Sequence, residues 1–167
     1  YISCDYGTVN PASFGLWGLH KGIWYRIKEF YHDSKAKGFQ MTDKEYYDQL
    51  VSLAGDKRVE AVIVDPSAAS FIECIRREGK FRVIPAKNDV ADGIRKVSEK
   101  LKTHQILIGS SCNDTIREFS MYRWDPNSVK DTPKKEFDHA MDDIRYFVAT
   151  IPKTFDDALF ALSVERR

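Results

Sequence analysis

Short runs of alternating apolar and polar residues fill the first 32 positions of the chain. Turn-forming residues interrupt these runs at 7–11 and again at Lys21 and Gly22. Alternation with a period of two is typical of strands, and glycine, proline and asparagine between such runs favour tight turns. The pattern therefore predicts three successive antiparallel strands within residues 1–32.

Helical spacing begins at Thr42, where apolar residues start to recur three and four positions apart, and it ends at Gly55. Residues 60–65 then form an apolar run that ends in a carboxylate, as expected for a central strand that is covered on both faces. The same reasoning predicts helices over 66–79, 90–101 and 113–122, strands over 81–85 and 106–108, and a last helix capped by Asp138. The polar stretch 121–137 is expected to form an excursion or hairpin.

Composition indicates one globular domain of ordinary size. The chain has 167 residues, of which 43% are hydrophobic and 31% charged, and a formal charge of +1. Since the positive and negative charges nearly cancel, the protein as a whole does not attract nucleic acid, which would have to be bound by a local patch of Lys and Arg. No apolar run approaches the roughly 20 residues of a membrane helix. Three well-separated cysteines argue against a disulfide framework or a thiolate zinc site and favour a reducing compartment.

The candidate chemistry lies in acidic residues at the ends of predicted elements. Asp5 falls in the first strand, on the face that it shares with Tyr1 and Ser3, and Asp65 ends the apolar strand. Each residue also has a structural explanation, because an aspartate before a turn can cap that turn, and Asp65 before Pro66 can cap a helix. For each residue taken alone, both explanations stay open.

A further acidic group falls at the start of the last helix. Asp142 is four positions from Asp138 and three from His139, so the three side chains form one polar patch on that helix. A solvated acidic face is the simplest interpretation. If the first strand and the strand at 60–65 were neighbours, however, all the acids could converge into a site for Mg²⁺ or Mn²⁺, which prefer oxygen ligands. Two such ions about 4 Å apart can cleave a phosphodiester bond.

Three segments of the chain occur in a recognisable combination. They are Asp5-Tyr6-Gly7, the strand 62–66, and the run 138–146, which ends in His-x-x-Asp-x-x-Arg-Tyr. A fourth stretch, from residues 86–88 to residues 93–95, belongs to the same combination. Together they resemble the nuclease domain of the large terminase subunit of tailed double-stranded DNA bacteriophages, over nearly the whole chain. Asp143 departs from the family pattern, which more often has a small apolar residue there.

The resemblance implies an α/β, RNase H-like fold in which helices flank a mixed five-stranded sheet, with an antiparallel three-strand meander followed by alternating helices and parallel strands. It also implies a metal-dependent endonuclease of low sequence specificity that cleaves concatemeric viral DNA during genome packaging, with two divalent cations, Mg²⁺ or Mn²⁺. By the same comparison, Asp5, Asp65 and Asp142 match the three metal ligands. His139 and Asp138 match auxiliary ligands or groups that support the ligands.

The resemblance also bears on the organisation and partners of the protein. Residues 1–167 are expected to form a single nuclease domain, the C-terminal part of a longer chain, because the family's ATPase motif Gly-x-x-x-x-Gly-Lys-Ser/Thr does not occur in this sequence. The implied partners are double-stranded DNA and, in the full-length protein, a small terminase subunit and the portal. The expected location is the cytoplasm of the infected bacterium.

Two basic stretches are candidates for contacts to DNA phosphates. Residues 76–102 contain nine Lys or Arg against four acids, and the excursion adds more cations. Ordinary solvation of lysine-rich helices explains these charges equally well. The candidate DNA-binding residues are Lys87, Arg95, Lys96, Arg123, Lys134 and Lys135.

Two alternatives to the terminase interpretation stay open. One is another RNase H-like nuclease of the junction resolvase or transposase type, since acids on two strands and a late helix are common to that superfamily. The other is a non-catalytic module that docks DNA or the portal, in which the acids serve only as helix caps.

Overall fold

The computed structural model describes residues 1–128 and 132–151. Its strands are β1 Ile2–Asp5, β2 Ala12–His20, β3 Ile23–His32, β4 Val62–Val64, β5 Val83–Pro85 and β6 Ile106–Ile108. Its helices are α1 Ser34–Lys37, α2 Asp43–Ala54, α3 Ala69–Glu78, α4 Val90–Lys102, α5 Asn113–Met121 and α6 His139–Thr150. The predicted α/β class is confirmed, and so is the opening antiparallel meander.

A single mixed sheet orders its strands β5-β4-β1-β2-β3-β6. β4 is parallel to β1, and β5 is parallel to β4. The sheet has six strands rather than five, because β6 pairs in parallel with residues 24–26 of β3. β3 would otherwise be a ten-residue edge strand with unpaired backbone groups, and β6 covers part of that edge.

The pairing of β1 with β4 fixes the position of two predicted site residues. Cys4 lies opposite Val64 in the parallel register, so Asp5 and Asp65 follow the paired positions at the same edge of the sheet. Neighbouring parallel strands bring their carboxyl ends together. The strand adjacency on which convergence of the acids depends is therefore present.

Two hydrophobic cores lie on opposite faces of the sheet. On one face, α2 and α3 cover the side chains of Ile2 and Cys4. On the other face, α6 lies against β1 and β2 and is flanked by α4 and α5. The predicted inward positions of α6 are buried, and so is every residue from Ala140 to Ala149, because the helix is enclosed on several sides.

The side chains of Asp65 and Asp138 do not cap helices: for Asp65 this was one of two open explanations, and for Asp138 the predicted cap is wrong. The helix predicted from Pro66 begins at Ala69; Asp65 Oδ1 instead accepts a hydrogen bond from the Ser67 N–H at 2.8 Å within a turn. Asp138 occupies the N-cap position of α6, yet its side chain accepts no capping hydrogen bond. Neither carboxylate is therefore used as a helix cap.

Other local features agree with the sequence analysis. Thr42 forms a capping box with Glu45 at the start of α2, and Gly55 ends that helix. Cys4, Cys74 and Cys112 are free thiols in buried positions. Across the described ranges, no helix combines the length and the apolar character needed to cross a membrane.

Within the stretch 121–137, Trp124 and Pro133 form an isolated antiparallel bridge. Backbone hydrogen bonds from Asp125 N to Thr132 O (2.9 Å) and from Lys134 N to Arg123 O (3.0 Å) flank this bridge. Residues 129–131, between the two sides, lie outside the described residues.

Candidate active site

A cleft of about 280 Å³ opens where β1 ends and α6 begins. It contains four of the five predicted metal-binding residues, and the loop after β1 and the segment before α6 complete its walls. The lining residues are Asp5, Tyr6, Gly7, Asn10, Pro11, Lys135, Asp138, His139 and Asp142. The fold thus brings together acids that are more than 130 positions apart in the sequence.

The side chains of Asp5 and His139 form a hydrogen-bonded pair in this cleft, with 2.8 Å between Asp5 Oδ2 and His139 Nδ1. Burial raises the pKa of Asp5 to about 6; His139 opposes this rise, and the carboxylates of Asp142 and Asp143 add to it. Burial alone would lower the pKa of His139, but Asp5 and the other neighbouring acids outweigh it, so that pKa is raised. Asp5 therefore carries a charge that its surroundings only partly compensate.

Asp142 is held mainly by an arginine of its own helix. Its Oδ1 accepts a hydrogen bond from Arg145 Nε at 3.2 Å and forms an ion pair with Arg145 Nη2 at 2.9 Å. Lys135 Nζ lies 3.9 Å from Asp142 Oδ2 and 3.7 Å from Asp138 Oδ2. Burial raises the pKa of Asp138, and the charge of Asp142 adds to this effect. The acids of α6 are therefore close enough to repel each other, and one exposed lysine partly neutralises them.

Asp65, at the end of the adjacent strand, is the predicted metal-binding residue that does not line the cleft. Its Oδ2 accepts a hydrogen bond from Asn88 Nδ2 at 3.2 Å. Partial burial acts to raise the pKa of Asp65, but hydrogen bonds from Ser67, Asn88 and Tyr146 outweigh it, and the pKa is lowered. Asp65 is thus held in its ionised form.

Tyr146 lies close to the carboxylates, although the sequence analysis assigned it no role. Burial together with the charges of Asp5, Asp142 and Asp65 strongly raises its pKa, and Tyr146 in turn helps to lower the pKa of Asp65. Tyr146 is therefore a neutral phenol beside three acids. The Arg-Tyr ending of the quoted motif was the available sequence signal.

Asn88 and Arg145 are two further residues whose roles the sequence did not reveal. Arg145 Nη1 donates to the backbone oxygen of Asn88 at 2.6 Å and to that of Asp89 at 3.2 Å. Gly93 lets α4 approach this arginine, because a Cβ there would overlap the Arg145 side chain. Arg145 thereby ties α6 to the loop whose Asn88 side chain contacts Asp65.

Asp143, the departure from the family pattern, faces away from the cleft. It is fully buried and accepts hydrogen bonds from Ser3 Oγ, from Ser13 Oγ at 2.8 Å and from Arg26 Nη2 at 2.7 Å. Arg26 is also fully buried, and Gly15 provides its space, since a Cβ on Gly15 would overlap the guanidinium. Asp143 is therefore a structural counter-ion beneath the site.

The donors of the cleft suit a hard divalent cation. They are carboxylate oxygens with one imidazole, and none of the described lining residues offers a thiolate. In residues 1–128 and 132–151, no three His, Cys, Asp or Glu side chains form a ready ligand cluster. Asp5 and the acids of α6 nonetheless fit a bound cation. Burial and neighbouring carboxylates disfavour their ionised forms, and a cation would stabilise those forms.

The predicted DNA-binding residues are dispersed. Lys135 alone among the six lines the cleft. Lys87 lies just after β5, and its backbone N–H donates to Thr150 Oγ1 at 2.9 Å. Arg95 and Lys96 both pair with Asp92 on α4. Arg123 and Lys134 line a separate cavity of about 320 Å³ beside the bridge described above.

With this geometry in place, comparison with known proteins gives a consistent answer. The chain is similar to a large terminase from a thermophilic bacteriophage, solved in complex with ADP, with 49% identity and a TM-score of 0.88 over 90% of this chain and 39% of that one. The predicted resemblance to large terminases is confirmed.

Two further relatives extend the comparison. The large terminase subunit of Escherichia phage T5 is 26% identical over 102 residues, which are 58% of this chain and 23% of that protein. The large terminase nuclease domain of bacteriophage SPP1, solved with bound Mn, shares the fold at 22% identity and a TM-score of 0.60, over 87% of this chain and 83% of that one. No family model matches the chain. The chain thus spans less than half of the thermophilic-phage and T5 proteins and has the fold of a terminase nuclease domain.

Proposed function

We propose that this chain is a metal-dependent DNA endonuclease that cleaves concatemeric viral DNA during genome packaging, with low sequence specificity. The observation that carries the proposal is the parallel pairing of β1 with β4. This pairing brings Asp5 and Asp65 to one edge of the sheet, and the first turns of α6 add Asp138, His139 and Asp142. The likeness to the terminase of the thermophilic phage supports the biological setting, and the Mn-bound SPP1 nuclease supports the choice of cation.

In the proposed site, Asp5, Asp65 and Asp142 hold two divalent cations, Mg²⁺ or Mn²⁺, and Asp138 and His139 are auxiliary ligands or supporting groups. Bound cations of this kind activate a water molecule and stabilise the leaving oxygen of the phosphodiester. All other tasks fall to the side chains of this chain.

Those side chains position the carboxylates and neutralise their charge. His139 Nδ1 holds Asp5 at 2.8 Å, and Asn88 together with Tyr146 orients Asp65. Arg145 fixes one oxygen of Asp142, which leaves the other oxygen directed toward Lys135. The carboxylates therefore do not have to be ordered anew when the substrate arrives, which lowers the entropic cost of reaching a reactive geometry.

The proposed substrate is double-stranded DNA, and in the full-length protein the proposed partners are a small terminase subunit and the portal. We propose the cytoplasm of the infected bacterium as the place of action. The terminase relatives favour this setting over a junction resolvase or a transposase.

The docking-module alternative requires the acids to serve as helix caps. The side chains of Asp65 and Asp138 cap neither α3 nor α6, so the helix-cap explanation fails for those two carboxylates. A purely docking role also gives no reason for the half-buried pair of Asp5 and His139. The catalytic proposal accounts for all four residues.

Cleavage of supercoiled plasmid by the purified chain tests the proposal in EDTA, Mg²⁺ and Mn²⁺. The wild type is expected to cut with metal and not in EDTA, and Asp65→Asn is expected to lose the activity. Asp48→Asn is the matched control, since Asp48 is an exposed acid of α2 that pairs with Lys44 and does not line the cleft. Absence of cutting by the wild type in Mn²⁺, or equal cutting by Asp65→Asn, contradicts the proposal.

A further inference from the structure

We propose that a basic groove beside the carboxylate cleft binds the phosphodiester backbone of the DNA strand that is cut. The basic groove is the cavity of about 580 Å³ whose cations are Lys35, Lys37, Arg117 and Lys135. This inference rests on the proposed nuclease function and adds to it the path of the substrate. It assigns DNA contacts to three residues outside the basic stretches that the sequence indicated.

The first argument is continuity between the basic groove and the carboxylate cleft. Four residues line both of them: Asn10, Pro11, Lys135 and His139. A strand whose scissile phosphate lies at the carboxylates must leave the cleft along the surface that adjoins it. The basic groove is such an exit, and His139 stands at the boundary between the two spaces.

The second argument is the contrast with the groove on the other side of the cleft. That groove, of about 440 Å³, shares Tyr6, Gly7 and Asn10 with the cleft. Its remaining lining comes from Thr8, Val9 and residues 67–70, and none of these described residues is charged. Because a DNA backbone carries one negative charge per nucleotide, the side with four cations is electrostatically favoured over the neutral side.

The third argument is that the lysines of α1 are free to bind a phosphate. Lys35 and Lys37 are exposed, and neither takes part in an ion pair found in the described residues. Among residues 1–128 and 132–151, the acceptor of Lys35 Nζ is the neutral Asn10 Oδ1, at 3.3 Å. Arg95 and Lys96 of the predicted patch differ from them, since both form ion pairs with Asp92 and Arg95 also lies 3.8 Å from Glu99.

Three acids also line the groove, one fewer than its four cations, so the lining stays net positive. Asp33 is used as the N-cap of α1, where its Oδ1 accepts from Lys35 N and Ala36 N at 3.0 and 3.1 Å. Asp114 pairs with Arg117 at 2.5 Å, and Glu136 is the third acid on the groove wall. Lys35 and Lys37 therefore provide the positive charge that is not already paired, with Lys135 shared between the groove and the cleft.

Binding of a short fluorescent duplex in EDTA, measured by anisotropy over a series of salt concentrations, tests the proposal. The parent is Asp65→Asn, which keeps the DNA intact. Adding Lys35→Ala and Lys37→Ala is expected to weaken binding about tenfold or more and to reduce the salt slope by about 0.9 for each phosphate that is no longer neutralised. Adding Lys35→Arg and Lys37→Arg is expected to retain binding, since the charge is kept.

Lys28→Ala with Lys57→Ala in the same parent is the matched control. Both lysines are exposed and line none of the three cavities discussed here, and their removal changes the net charge by the same amount. Equal weakening in this control, an unchanged affinity and slope in the Lys35/Lys37 variant, or a parent that binds no duplex at low salt each overturns the proposal. Circular dichroism of every variant verifies that the fold is intact.

The groove and the nuclease can fail separately in this design. If the wild type cuts plasmid with Mn²⁺ while the alanine substitutions of Lys35 and Lys37 leave duplex binding unchanged, the groove assignment alone is wrong. If binding depends on these lysines but the wild type does not cut, the proposed function is wrong and the site is one for DNA binding.

Discussion

Asp142 and Asp143 are consecutive residues of one helix, yet they have opposite surroundings. Asp142 faces the cleft, where Arg145 occupies one of its oxygens and an exposed lysine lies 3.9 Å from the other. Asp143 points into the protein, where Arg26 and two serines satisfy both of its oxygens. Identical side chains one position apart are therefore suited to different tasks.

The difference shows how the partners of a carboxylate limit what it can do. Both oxygens of Asp143 already accept hydrogen bonds, so neither can bind a further ligand. Asp142 lines the cleft, and its Oδ2 remains available to a ligand. Burial of an ion pair is costly unless the pair stays intact, so Asp143 and Arg26 depend on each other. The acids of the cleft instead retain negative charge that a cation can neutralise.

The largest expected effect comes from breaking the buried pair. Asp143→Ala leaves the fully buried Arg26 without its main counter-ion, and we expect the free energy of unfolding to fall by about 3–5 kcal/mol. Urea denaturation in EDTA measures this change. A loss below about 1 kcal/mol would show that Glu29, 3.8 Å from Arg26, is a sufficient counter-ion.

Removing both partners sharpens the comparison. Arg26→Met together with Asp143→Ala replaces a buried charge pair by apolar groups, and we expect it to regain most of the stability that Asp143→Ala loses. The same urea denaturation gives the coupling energy between the two residues. If the losses of the two single variants simply add, the pair is not the coupled unit that the structure indicates.

A smaller effect of opposite sign is expected at Asp5. Its pKa of about 6 lies above the unfolded value, so its contribution to stability is complete below about pH 4 and is lost as the pH rises through 6. The raised pKa of His139 acts in the same direction. Asp5→Asn in EDTA should therefore be more stable than the wild type by about 1–3 kcal/mol at pH 8. Thermal unfolding at pH 4 and pH 8 measures the difference, which should shrink at the lower pH.

Asp5→Asn is also expected to lose cleavage, so that it combines higher stability with lower activity. An increase in stability that is equal at both pH values would trace the effect to packing rather than to charge.

The smallest predicted effect concerns the start of α6, which carries both compared residues. Glu118 of α5 accepts a hydrogen bond from Ala140 N at 2.6 Å and so caps α6 in place of Asp138. Glu118→Ala should cost about 1–2 kcal/mol in urea denaturation, as the loss of a helix cap does. Glu73→Ala, an exposed residue of α3, is the control and should stay close to the wild type. An equal loss in the two variants would contradict the capping role.

The sequence predicted features that local residue types decide. Thr42 and Gly55 bound α2 because capping is a matter of a few neighbouring residues, and β4 was visible as a continuous apolar run. The adjacency of β1 and β4 was only a condition in the sequence argument, since pairing between distant strands leaves no local signal. The expected sheet had five strands and the observed one has six for the same reason, since the pairing of β6 with β3 also joins distant segments.

In the candidate site, the limit of prediction was the choice of partners. The sequence shows that Asp143 departs from a family pattern, but it does not show that Arg26, on a different strand, lies beneath it. The sequence also indicated Arg95 and Lys96 as cations that could bind DNA phosphates, whereas in the structure both form ion pairs with Asp92. The roles of Glu118 and Tyr146 also depend on long-range contacts that no spacing reveals.

The most direct test compares the two neighbouring acids in one assay, the rate of Mn²⁺-dependent plasmid cleavage. Asp142→Asn is expected to lower this rate by more than about a hundredfold, because it removes a proposed metal ligand. The variant that combines Arg26→Met with Asp143→Ala is expected to stay within about tenfold of the wild type, since neither residue reaches the cleft. If the folded Asp142→Asn protein cuts at the wild-type rate while the double variant is inactive, the assignment of the two acids is contradicted.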